Sequence, residues 1–134
     1  MMRRYLIAVF IPGLALLFTG RLALAHHAEA AEFDFKKPVK ITGVLSKVQW
    51  MNPHIWFYLD VKDQNGKVTT WGFSGLPPSV LVRKGITKDT LKLGDQLVAE
   101  GHQAKDGSTN ASAGDVTFPD GRKVLVGGAA LFPQ

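Results

Sequence analysis

The stretch Val48-Gln49-Trp50-Met51-Asn52-Pro53-His54-Ile55-Trp56-Phe57-Tyr58-Leu59-Asp60-Val61 decides the architecture. Two apolar runs meet across Asn52-Pro53-His54, a break that no strand or helix crosses unchanged. Proline lacks an N–H and fixes φ, so it cannot sit in a central ladder, and it drives Asn52 towards extended geometry. Beyond the break, Ile55, Phe57, Leu59 and Val61 alternate with Trp56, Tyr58 and Asp60, the period of two that marks a strand. Phe57 and Leu59 claim the inner side. Trp56 and Tyr58 therefore form either a second buried face or an adhesive outer one.

Outward from this core the chain continues as strands. Upstream, Val39 and Ile41 share a face and Gly43 interrupts them, with Val44, Val48 and Trp50 following in shifted phase. A glycine with a phase slip predicts a bulge or bend there. Downstream, Asp63-Gln64-Asn65-Gly66 is a hairpin signal, and Val68 to Phe73 returns as a third strand carrying Trp71 and Phe73 on one side. Residues 80–84 suit a short helix, with Pro78 at its start and Gly85 as its cap. A fourth strand spans residues 96–102. Two further strands flank the turn Pro119-Asp120-Gly121.

Three strands, a short helix and two or three more strands is the order of an OB-fold. The expected fold is all-β, a small OB-fold-like five- or six-stranded barrel with one short helix after the third strand. Closure removes the sheet edges, which suits a chain with no cysteine to staple it. A small β-sandwich is the alternative, because strand order is not written in the spacing.

The N-terminus sets the compartment. Arg3 and Arg4 precede the apolar run Leu6 to Phe18, and Ala23-Leu24-Ala25 supplies a small-residue cleavage site, together the pattern of a secretory signal peptide. Gly20, Arg21 and Pro12-Gly13 argue against a retained anchor. The expected organisation is a signal peptide over residues 1–25, a mobile arm over 26–38, the β domain over 39–127 and a loose tail over 128–134. Cleavage implies a periplasmic or secreted protein with no transmembrane span left in the mature chain. It also removes three of the 16 basic residues, leaving 13 against 11 acidic ones, a net of +2. Lys and Arg are then scattered, so nucleic acid is not an expected partner.

Two constellations carry chemistry. The first is aromatic: Trp50, Asn52, His54, Trp56 and Tyr58 cluster around the break, and aromatics on the second and third strands of an OB-type fold can stack a planar or sugar ring. The second is nitrogenous: His26, His27, His54 and His102. If the signal is cut after Ala25, the free amine and imidazole Nδ1 of His26 could chelate one ion, with His54 or His102 completing the set. Nitrogen donors favour copper among the divalent ions. Catalysis finds little support. Gly72-Phe73-Ser74-Gly75 resembles part of a nucleophile elbow, but Leu76 stands where that motif needs glycine, and the carboxylates occur singly.

Four segments together also carry a likeness: His26-His27, Val44-x-x-Lys47-Val48-x-Trp50-x-Asn52-Pro53-His54, Leu76-Pro77-Pro78 and Asp106-Gly107-Ser108. In these the chain resembles the DUF6152 family of exported bacterial proteins of unknown function. The resemblance implies export and a compact β domain, and brings no catalytic residues with it. The reading is a non-enzymatic exported binding or interaction module for a small ligand or an envelope protein. A copper-type metal-binding protein is the alternative.

Overall fold

The computed structural model describes residues 28–128. The chain divides after Ala31 into two units, and all the strands lie in the second, Glu32–Gln134. Residues 28–32 are helical. The elements that follow are β1 (Phe33–Gln49), β2 (Trp56–Lys62), β3 (Val68–Ser74), α1 (Pro78–Arg83), a 3-10 turn (Lys88–Thr90), β4 (Gln96–Ala104), β5 (Asn110–Thr117) and β6 (Lys123–Leu125).

The strands form one sheet in the order β3-β2-β1-β4-β5-β6, and a further parallel pairing joins β3 to β5. That pairing, Gly72↔Asn110, Phe73↔Ala111 and Ser74↔Ser112, closes β1, β2, β3, β5 and β4 into a ring of five strands. All the other ladders are antiparallel, and β6 hangs outside the ring on β5. The all-β, OB-fold-like arrangement with a short helix after the third strand is therefore what the chain adopts. No described helix is long and apolar enough to cross a membrane.

Local chemistry explains the elements. The β2–β3 turn rests on Gly66 at φ +83° and on the Asp63 carboxylate, which accepts from the backbone N–H groups of Asn65 and Lys67. The helix α1 has proline in its first turn and buries Leu81 against the ring interior. Inside, the Phe57 and Phe73 rings stack 5.2 Å apart at 11°. Trp71 packs on the same core, as its alternation with Phe73 requires.

Two expectations need correction. The strand β1 begins at Phe33, not Val39, so residues 33–38 are not an arm. Phe33 is buried, pairs with Ala104, and Lys105 N–H donates to the Glu32 carbonyl beside it. The bulge expected at Gly43 lies at Ser46, where the β1–β2 register shifts between Leu45 and Lys47. Val44 accordingly points outward, 44% exposed, and Leu45 inward at 1%. Gly43 serves a different purpose: a Cβ there would come within 2.9 Å of the Asp60 carbonyl oxygen and 3.0 Å of Leu59 Cβ, so glycine lets β1 cross β2 closely. At its C-terminal end the β domain is held as far as Gly127, since the N–H groups of Val126 and Gly127 both donate to the Gly114 carbonyl. The expected tail over 128–134, apart from Gly128, and the expected signal peptide lie outside the described residues.

Candidate functional site

Register places Lys47 opposite Tyr58 and Gln49 opposite Trp56 on β1, with Gly72 and Ser74 opposite the same two residues on β3. Phe57 and Leu59 are fully buried, so Trp56 and Tyr58 project from the outer side of the ring, where both are half-buried. Their rings lie 6.3 Å apart at 23°. The Tyr58 hydroxyl donates to Gln49 Oε1 at 2.8 Å, and the Lys47 ammonium sits 5.2 Å from the Tyr58 ring centroid. The Ser46 hydroxyl, from the bulge, donates to the Tyr58 carbonyl at 3.3 Å. The Gln49 and Lys47 contacts hold the Tyr58 ring in one orientation. A rigid aromatic surface loses little entropy when something lies against it.

Gly72 is part of the same arrangement. A Cβ on it would fall 2.7 Å from Asn110 Oδ1 and 3.1 Å from Tyr58 Cε1. The bare backbone thus lets the Tyr58 ring and the Asn110 amide close over β3 from opposite sides. Lys47, Gln49, Gly72 and Asn110 are absent from the site residues expected from sequence. Cross-strand pairing brings them in, and pairing register is not visible in spacing along a single strand.

The other expected site residues separate from this surface. Trp50 turns inward and packs, partly buried, against the core. It follows directly after β1, one step from outward-facing Gln49, and so takes the opposite side. Asn52 and His54 are exposed in the loop between β1 and β2, where the Asn52–Pro53 peptide is cis. His54 Nδ1–H donates to the Gly75 carbonyl at 2.9 Å, tying this loop to the segment that follows β3.

The nitrogen set does not come together among the described residues. His26 and His27 lie outside them, and no group of three or more His, Cys, Asp or Glu there could hold a metal ion. His102 sits on β4, with the Phe35 ring edge-on to it at 5.3 Å and 72°. Burial pushes its imidazole below the usual 6.5, and the nearby Asp34 carboxylate partly opposes that push. Beside it, Lys123 and Lys40 hydrogen-bond the Glu100 carboxylate and hold it below the ordinary carboxylate range.

The His102 shift has a consequence for stability. The unfolded chain binds a proton at this imidazole near pH 6.5, whereas the folded chain binds it only at lower pH. Over that interval the unfolded state carries more protons, so stability falls as the pH falls. Urea unfolding at about pH 7.5 and about pH 5.5 should show the loss, and His102→Gln should flatten it. An unchanged difference in the variant would place the acid sensitivity elsewhere.

A family model described as a family of unknown function (DUF6152) matches residues 15–113, and the chain belongs to that family. The matched region includes Trp50-x-Asn52-Pro53-His54 and the whole of β2 and β3. No curated protein and no solved structure matches the chain.

Proposed function

We propose that this family member is an exported, non-enzymatic binding module whose ligand or protein partner lies across the outer face of β1, β2 and β3. One observation carries the reading. Two large aromatic side chains stand half-exposed and nearly parallel on that face, although the interior they could have filled is already occupied by Phe57, Leu59 and Phe73. Exposed aromatic area costs solubility, and when it is also held in place by neighbours it marks a surface of contact. The Lys47 ammonium and the Gln49 amide add polar groups at its border, the usual composition of a contact patch. Among the described residues this surface has no pair of carboxylates and no activated nucleophile, which supports binding over turnover.

The experiment is a fluorescence titration of the mature protein with soluble oligosaccharides and cell-envelope fragments, comparing the natural chain with Trp56→Ala. Loss of the indole should weaken binding by about tenfold or more, while stability changes by about 1 kcal/mol or less. Binding that survives Trp56→Ala undiminished would remove this face as the site. Mass determination of the exported chain's N-terminus tests the export half of the reading, and an uncut N-terminus would overturn it.

A further inference from the structure

The aromatic face carries one charge that the fold does not neutralise. Lys47 stands opposite Tyr58 on β1, and its exposed ammonium lies 5.2 Å from the Tyr58 ring centroid. Among the described residues this ammonium makes no ion pair. Around β4 the pattern is the reverse, since Lys40 and Lys123 both meet Glu100 and Lys123 also meets Asp115. The Tyr58 ring attracts the Lys47 ammonium but leaves its charge uncancelled.

The groups beside it add donors. Gln49 lies two residues on from Lys47 and therefore on the same side of β1. Its Oε1 accepts from the Tyr58 hydroxyl, which leaves the two Nε2 hydrogens for another partner. The carboxylate of β2, Asp60, stands on the far side of Tyr58 from Trp56 and accepts from the Thr70 hydroxyl at 2.7 Å. It repels an anion at its own end of the face. An anion is therefore favoured at the end bounded by Lys47 and Gln49.

The rings and their border specify what that anion is attached to. The faces of Trp56 and Tyr58 carry negative quadrupole density, which attracts polarised C–H groups. The border forms hydrogen bonds: the Ser74 hydroxyl stands opposite Trp56, and the exposed Asn110 side chain reaches over Gly72 beside the Tyr58 ring. A wholly apolar guest would cover these polar groups and leave them unpaired. A saccharide ring offers both surfaces, C–H groups on its flat and hydroxyls at its rim. Resting on the reading of this face as a binding surface, we propose that its ligand is an acidic saccharide. The carboxylate meets Lys47 and Gln49, and the C–H face of the ring lies on Trp56.

Isothermal titration calorimetry with a galacturonic acid trimer, the methyl ester of the same trimer, and acetate tests this. The acid should bind about tenfold more tightly than its uncharged ester, and the preference should shrink as NaCl rises from about 50 mM to about 500 mM. Lys47→Gln should weaken the acid by about tenfold, so that acid and ester then bind alike. Asp60→Asn should strengthen acid binding. Acetate, which has the charge without the ring, should bind far more weakly than the acid trimer. Equal affinities for acid and ester, a preference that survives Lys47→Gln, weaker acid binding in Asp60→Asn, or acetate binding as tightly as the acid would each overturn the proposal. Equal affinities that both collapse in Trp56→Ala would overturn the charge preference alone and leave the aromatic face as a site for a neutral ligand. Acid binding undiminished in Trp56→Ala would overturn the face itself. Binding of neither trimer would overturn the saccharide.

Discussion

Gly101→Ala should cost about 3 kcal/mol or more, a large part of what a domain of this size has to lose. A Cβ at this position would lie 1.9 Å from the Ser112 carbonyl oxygen and 3.0 Å from its carbonyl carbon. These are backbone atoms of the neighbouring strand, so no side-chain rotation can relieve the clash. The β4 and β5 strands would have to part where β5 bulges, and β5 is also the strand that closes the ring onto β3. Gly107→Ala is the control. Nothing lies within 4 Å of a Cβ there, and only its positive φ of +77° penalises a side chain, which costs about 1 kcal/mol. Denaturant unfolding of both variants checks the ordering. Equal losses would show that the close approach at Gly101 relaxes freely.

Much of this fold was legible wherever it depends on the side chains of one strand. The alternation after Pro53 correctly separated Phe57 and Leu59 from Trp56 and Tyr58, and Asn65-Gly66 correctly marked the first hairpin. What stayed hidden depends on two strands at once. Ser46 carries no mark of a bulge, because the slip arises from how Leu45 and Lys47 meet Leu59 and Tyr58. The glycine at 43 drew attention for a bend, yet its use is the close passage of Asp60 and Leu59. Ring closure rests on three residue pairs between β3 and β5, whose sequences hold nothing that names one another. Phe33 falls in the expected mobile arm by sequence, and only its pairing with Ala104 makes it part of the sheet.

The candidate site divides in the same way. Trp56 and Tyr58 were visible from periodicity. Trp50 lies close in sequence to the break, but the side it takes is set by the strand before that break, and it packs against the core. The Gln49 and Lys47 partners required the register. Register leaves no trace in composition or spacing.

Phe57→Ala should destabilise the domain by about 3–5 kcal/mol, although its neighbour Trp56→Ala, which deletes a larger side chain, costs about 1 kcal/mol or less. Size alone predicts the reverse order. Phe57 is fully buried and stacks on Phe73 at 5.2 Å, and its removal leaves a cavity among Leu45, Leu59 and Leu97 that close-packed neighbours fill only in part. Trp56 leaves only a patch of strand surface open to water. Because side chains alternate along β2, a slip of one residue against β1 and β3 would exchange the two faces and invert the result. Thermal or denaturant melts of the two variants therefore test the register itself. If Trp56→Ala proves the more damaging, the indole belongs to the interior, and the aromatic face has no claim to be a binding surface. If Phe57→Ala is the more damaging and binding falls only in Trp56→Ala, one strand carries stability on one side and recognition on the other.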